Sequence, residues 1–419
     1  MTNYNTLGHN LKRNIFTFCG KVSKGLSKPA QKFITTMVFG MISAKSCYLT
    51  EIARKLNEDI ALDKTVERLS RNLMNLGSSD EIRENYIATV SKSFDESTIL
   101  IIDDSDISKP CSKKLEDLCR VHDGSTGKTT IGYWFAGVSA LTANHKQPIP
   151  VYNRIYSSTE KDYISNNNET LKSLEFLSAR FSKNNIRAFD RGYDAGYIFE
   201  YLIPRDESFI IRMQGNRNCI YKGETILISE LAKKFKGKFI LKFRAKNGKK
   251  ADCKISIVQV FLPMFPDKAL NLVVCRGLGK EPLLLLTNLD SIDKRLCVTI
   301  SKVYLMRWRI EEYYKFKKQG FGLEKFLVRS LKSIRNLDLL LTIAIGYIGM
   351  LSEKVKENVE VMEIVQASRR LYGLAKFTFY AISDGLAAIF SKSYSGISSF
   401  FAKPEPTAQL YLPEWYNLE

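Results

Sequence analysis

Four side chains of complementary chemistry fall between residues 304 and 318: the phenol of Tyr304, the guanidinium of Arg307, the carboxylate of Glu311 and the ammonium of Lys318. On a helix, which turns by ~100° per residue, they lie at about 0, −60, −20 and −40°, so all four share one narrow face. Such a column makes no core stripe. It sets a carboxylate able to hold a metal ion beside donors able to clamp phosphate oxygens. Read alone, the same column also suits a solvated charged helix.

Carboxylates also stand where two strands are expected to end. Ser97 to Ile102 is a short, continuous apolar run of the kind a strand buried on both faces shows, and it runs into Asp103, Asp104, Ser105 and Asp106. Ile186 to Phe189 reads as a second strand, ending at Asp190 and followed by Arg191 and Gly192. A lone Asp at a strand end is ordinarily a turn or cap residue. A uniformly apolar run does not set the strand register, so Asp104 and Asp103 both remain candidates.

The spacing Tyr-x2-Arg-x3-Glu-x6-Lys, with Arg-Trp-Arg-Ile-Glu-Glu inside it, resembles the signature of the insertion-sequence-four family of cut-and-paste DDE transposases. The resemblance runs from roughly Thr98 to Leu340. It implies two aspartates ahead of Glu311, the first before a small hydroxyl residue and the second before an arginine. Asp104, followed by Ser105, and Asp190 fit those positions, with Asp103 the second choice for the first. The resemblance further implies an α/β fold with an RNase H-like core, a mixed sheet flanked by helices, that holds Asp104, Asp190 and Glu311 as catalytic ligands to two Mg²⁺ or Mn²⁺ ions. Tyr304, Arg307 and Lys318 would grip DNA phosphates. Double-stranded DNA, both transposon ends and target, is the implied partner of a homodimer, and no membrane is expected. Water would nick the end, the freed 3′-hydroxyl would form a hairpin, and the reopened end would join the target. The competing readings are a catalytically inactive DNA-binding descendant and a metal-dependent nuclease without strand transfer. One departure concerns a tryptophan that in some relatives stacks on a flipped base; Leu283 takes its place here.

Five segments are expected to position these groups: a helical DNA-binding region at 1–90, the first part of the core at 91–205, a β-rich insertion at 206–295, the second part of the core at 296–360 and a helical tail, a possible dimerisation element, at 361–419. In the first, Tyr48 to Leu56 and Thr65 to Arg71 read equally as a helix-turn-helix reader or as part of a plain bundle, with Thr50 able to cap the earlier helix. In the insertion, Lys242, Arg244 and Lys246 alternate with Leu241, Phe243 and Ala245 ahead of an Asn247-Gly248 hairpin signal, a cationic strand face suited to phosphates or simply to solvent. One continuous helix is expected from about Ile300 to Lys318. Another is expected from Asn336 through Val355.

A net charge of +19, from 63 Lys+Arg against 44 Asp+Glu, points to a polyanionic partner. Eight scattered cysteines without a Cys-x-x-Cys pair, and three histidines, argue against zinc modules. With no signal-like opening, they suggest a cytoplasmic protein. Leu337 to Leu351 is shorter than the ~20 residues of a membrane span and contains Asp338, so a buried helix is expected. Asp123 to Thr130 looks like a phosphate-binding loop, but the first glycine of that motif falls on His122 and a strand should follow. A tight loop between elements is the reading there.

Overall fold

The computed structural model describes residues 4–124, 126–144, 146–244, 250–290, 293–369, 377–393 and 396–401. Helices α1 (Tyr4–Val22), α2 (Lys28–Ala44), α3 (Leu49–Leu56), α4 (Leu62–Asn75) and α5 (Ser79–Val90) open the chain. Thr50 lies inside α3 rather than capping it. Tyr48 holds the cap position, where its extended backbone carries no side-chain bond into the helix. The sheet begins with β1 (Ile99–Ser108), β2 (Cys119–Asp123), β3 (Lys128–Leu141) and β4 (Pro148–Tyr156), continues through α6 (Asn166–Ser178) to β5 (Ile186–Phe189), and through α7 (Gly196–Leu202) to β6 (Phe209–Arg212).

β1 pairs antiparallel with β3 and parallel with β5, and this central place explains its run of four buried aliphatic residues from Ile99 to Ile102. β4 pairs antiparallel with β3, and β6 parallel with β5. The result is a mixed sheet flanked by helices, the RNase H-like α/β arrangement. The look-alike phosphate loop is the turn between β2 and β3, where Gly127 takes φ 68° and donates its N–H to the Asp123 carbonyl.

The β-rich region adds β7 (Asn218–Tyr221), β8 (Glu224–Leu227), α8 (Ile228–Lys233), β9 (Phe239–Arg244), β10 (Lys250–Leu262), β11 (Phe265–Arg276) and β12 (Leu283–Thr287). β12 returns to pair with β6, so these strands continue the central sheet. Leu283 is buried in β12 and offers no stacking platform. Antiparallel pairing of β9 with β10 agrees with the hairpin signal, whose Asn247 and Gly248 lie outside the described residues.

The chain ends in α9 (Lys294–Leu305), α10 (Arg309–Lys315), α11 (Leu331–Glu353), α12 (Val359–Ala367) and α13 (Phe379–Phe390). α11 packs on β4 and on α2, α4, α5 and α13, which makes it the axis that joins the N-terminal helices to the sheet. At 23 residues α11 is longer than the apolar run in the sequence, and it alone among the described residues is long and apolar enough to cross a membrane. Most of that apolar stretch, 83%, is nonetheless buried within the protein. Its Asp338 is buried in an ion pair with Lys317.

Candidate active site

The helix expected from Ile300 to Lys318 is interrupted twice. α9 stops at Leu305, a 3₁₀ turn covers Met306–Trp308, α10 follows, and a π-helical turn takes Phe316–Gly320. A 100° wheel therefore holds only locally. Arg307 still meets Glu311 one turn on, Nη2 to Oε1 2.6 Å, whereas Lys318 leaves that face and pairs with Glu324 at 3.1 Å and Asp106 at 3.6 Å.

Arg307 is the centre of the site. Its Nη1 lies 3.3 Å from Asp103 Oδ2, and its Nη2 lies 3.8 Å from Asp190 Oδ2 as well as on Glu311. Three carboxylates from distant parts of the chain thus touch one guanidinium. The sheet explains two of them. Ile102 and Phe189 are the last partners on the parallel strands β1 and β5, so the next residues, Asp103 within β1 and Asp190 just past β5, emerge side by side where that pairing stops. Asp190 also caps the short turn after β5, accepting the Arg191 N–H at 2.5 Å.

Asp103, rather than Asp104, is the β1 acid that faces Arg307. Alternation along a strand sends Asp104 the other way. It nonetheless lines the same recess of about 300 Å³ as Asp103 and Asp190, together with Asn166, Thr170, Tyr193 and Tyr197. The protein packed around Asp104 raises its carboxyl although the residue stays exposed, and the Tyr193 hydroxyl pulls it the other way. Asp103 is pushed up to about 7, first by burial, then by Asp104, Asp190 and Glu311, against the opposing pull of Arg307. Burial draws the Arg307 guanidinium down, but Asp103, Asp190, Tyr304 and Glu311 outweigh it and hold Arg307 above its usual range.

α10 is held to β1 by a contact that sequence reasoning missed. Tyr314 donates its hydroxyl to the Asp103 carbonyl at 2.6 Å. Gly137, the β3 partner of Asp103, permits this approach, since a Cβ there would sit 2.4 Å from the phenol oxygen. The signal was available: on the same wheel Tyr314 falls ~20° from Arg307. Beneath α10, Lys317 Nζ meets Asp338 Oδ1 at 2.6 Å and Thr342 Oγ1 at 3.0 Å. The Asn153 amide joins them through the hydroxyls of Tyr313 at 3.0 Å and Thr342 at 2.6 Å.

Tyr304 is buried beside Arg307, its ring centroid 6.0 Å from the guanidinium carbon. Lys242 is exposed on β9, far along the sheet order from β1. The side chain of Arg244 and all of Lys246 lie outside the described residues.

Among the described residues no three His, Cys, Asp or Glu side chains stand close enough together to hold a metal ion as they are. A cation does gather three of them, because Arg307 stands among Asp103, Asp190 and Glu311. Three hard carboxylate donors around one positive group fit the chemistry of Mg²⁺ or Mn²⁺.

A mixed α/β sheet thus brings Asp103 of β1 and Asp190 after β5 up to Glu311 on one facing helix. Residues 95–346, more than half of the chain and including all of these groups, match the family described as "Transposase DDE domain". The chain belongs to that DDE transposase family, which implies dependence on a divalent metal. No curated protein matches it. Among solved structures, the cryo-electron microscopy structure of piggyBac transposase in a synaptic complex with hairpin DNA is similar at 9% identity and a TM-score of 0.46, over 94% of this chain and 80% of that chain.

Proposed function

We propose that this protein is a cut-and-paste DNA transposase of the kind its Tyr-Arg-Glu-Lys signature resembles, the insertion-sequence-four family, with Asp103, Asp190 and Glu311 as its catalytic carboxylates. The observation that carries this reading is the convergence of all three on Arg307. Asp103 takes the place that the motif alone would give to Asp104. The three carboxylates would hold two Mg²⁺ or Mn²⁺ ions, which when bound supply positive charge to the attacking and leaving oxygens of an in-line displacement at phosphorus.

The protein's own groups do the rest. Released from the carboxylates, the Arg307 fork offers two parallel donors to a phosphate of the strand being cut. Tyr304 packs beneath that fork and limits its swing. Tyr314 anchors α10, and hence Glu311, to the strand carrying Asp103. Lys318 supplies a point charge to a neighbouring phosphate on leaving Glu324, and Lys242, exposed on β9, would track the backbone farther out, with Arg244 and Lys246 adding to the cationic run in the sequence. The net charge of +19 suits double-stranded DNA, both transposon end and target. The resemblance further suggests hairpin ends and a homodimer that pairs two of them.

The test is incubation of purified protein with its flanking inverted repeats, target plasmid and Mg²⁺. Excised ends that join the plasmid support the reading. Cutting without joining would assign a nuclease instead, and binding without cutting would assign an inactive DNA-binding descendant.

A further inference from the structure

A groove of about 940 Å³ lies between α1, α5, the C-terminal end of α11 and α12. Lys21, Lys24, Lys92 and Lys354 line it, all exposed, and no carboxylate among the described residues forms an ion pair with any of them. The groove has one acid in its lining, Glu360, which accepts a bond from the Asn14 amide at 3.1 Å and whose carboxyl is raised by burial. In its floor is Tyr347, 5% exposed, whose hydroxyl has no hydrogen-bond partner among the described residues. Four uncompensated ammonium groups above a buried, unsatisfied phenol form a site short of anionic acceptors.

This groove is separate from the carboxylates. None of the residues that line it lines the recess of Asp103, Asp104 and Asp190. We propose that the groove is a second phosphate-backbone site, which takes duplex DNA away from the phosphate being cut. The proposal rests on the reading of the protein as a DNA transposase, and the ligand is the diester backbone rather than free phosphate.

The experiment uses the full chain, a ~30 base-pair duplex and EDTA to prevent cutting, and measures affinity by anisotropy against salt. Lys92→Gln/Lys354→Gln should lower the slope of log K against log salt by about 0.9 for each phosphate that is no longer neutralised, while Lys92→Arg/Lys354→Arg keeps the wild-type slope. Hydroxyl-radical footprints should show one patch of protected sugars disappear in the Gln variant alone. An unchanged slope and footprint would overturn the proposal, as would competition by millimolar inorganic phosphate equal to that by DNA. Failure of the wild-type protein to bind any duplex would overturn the transposase reading itself, so the two failures are distinguishable.

Discussion

At the scale of single residues, Arg307 neutralises three carboxylates that face one another, and on the proposed reading its fork is also the donor to the phosphate being cut. Asp103→Asn removes a group that touches this centre, so cleavage should fall by more than the ~10–100-fold that loss of a supporting group at a metal site costs. Asp104→Asn, whose carboxylate forms no ion pair with Arg307 among the described residues, should cost less; equal losses in a cleavage assay would undo the choice between them. Arg307→Ala should tighten Mn²⁺ binding, measured by calorimetry, because no guanidinium then has to leave the carboxylates; weaker binding would mean that Arg307 organises the ligands instead. Arg307→Lys should impair cleavage more than Lys318→Arg, since an ammonium cannot reproduce a planar fork. The carboxyls also set a pH dependence. Asp103 is raised to about 7 by burial first and by its acidic neighbours next, so the native state holds this proton to higher pH than the unfolded chain, whose Asp titrates near ~3.9. Its contribution to stability is therefore complete below about pH 4 and is lost as pH rises through about 7. Melts in EDTA should show the wild-type midpoint falling across that window, and Asp103→Asn should flatten the fall.

At the scale of elements, α10 must hold Glu311 opposite β1, and two buried attachments do this, Tyr314 on the Asp103 carbonyl and Lys317 on Asp338. Lys317→Met strands a buried carboxylate and should cost about 3–5 kcal/mol, whereas Lys317→Met/Asp338→Leu should recover most of that loss because a buried pair is often replaceable by apolar groups. A denaturation midpoint no higher in the double variant than in the single would show that the network of Thr342, Asn153 and Tyr313 needs its charges. These elements also mark how far the sequence could be read. Local signals placed β5 and the start of β1, because a four-residue apolar run with an acid at its end has few other uses, but β1 runs on through the acids to Ser108. The Asp103 and Asp104 alternative was not legible: both are acids, the run before them is apolar on both faces, and only the pairing with β3 and β5 sets which way each points. The break at Met306–Trp308 was also hidden, since Met, Arg and Trp carry no helix-stopping chemistry and tertiary contacts, not propensity, bend the chain there. Nothing in the sequence marks Lys317 as buried, because its partner, Asp338, lies on another helix.

At the scale of the whole molecule, the charge that draws DNA and the charge that cuts it are separate. The protein carries 63 Lys+Arg against 44 Asp+Glu, so its surface attracts a polyanion through many contacts, each worth a modest and salt-sensitive share of the affinity. The active site instead concentrates negative charge, and its approach to DNA depends on the surrounding positive field. Glu311→Gln removes one of these negative charges without touching the lysines and arginines. It should abolish cleavage while leaving duplex affinity unchanged or slightly stronger, with the same salt slope. Glu312→Gln is the matched control, since Glu312 lies beside Arg309 rather than Arg307 and should leave cleavage within a few-fold of wild type. Anisotropy in EDTA reads affinity and a gel reads cleavage, so the two effects separate cleanly. Loss of binding in step with loss of cleavage would show that Glu311 supports the fold of α10 and is not one of the reacting carboxylates.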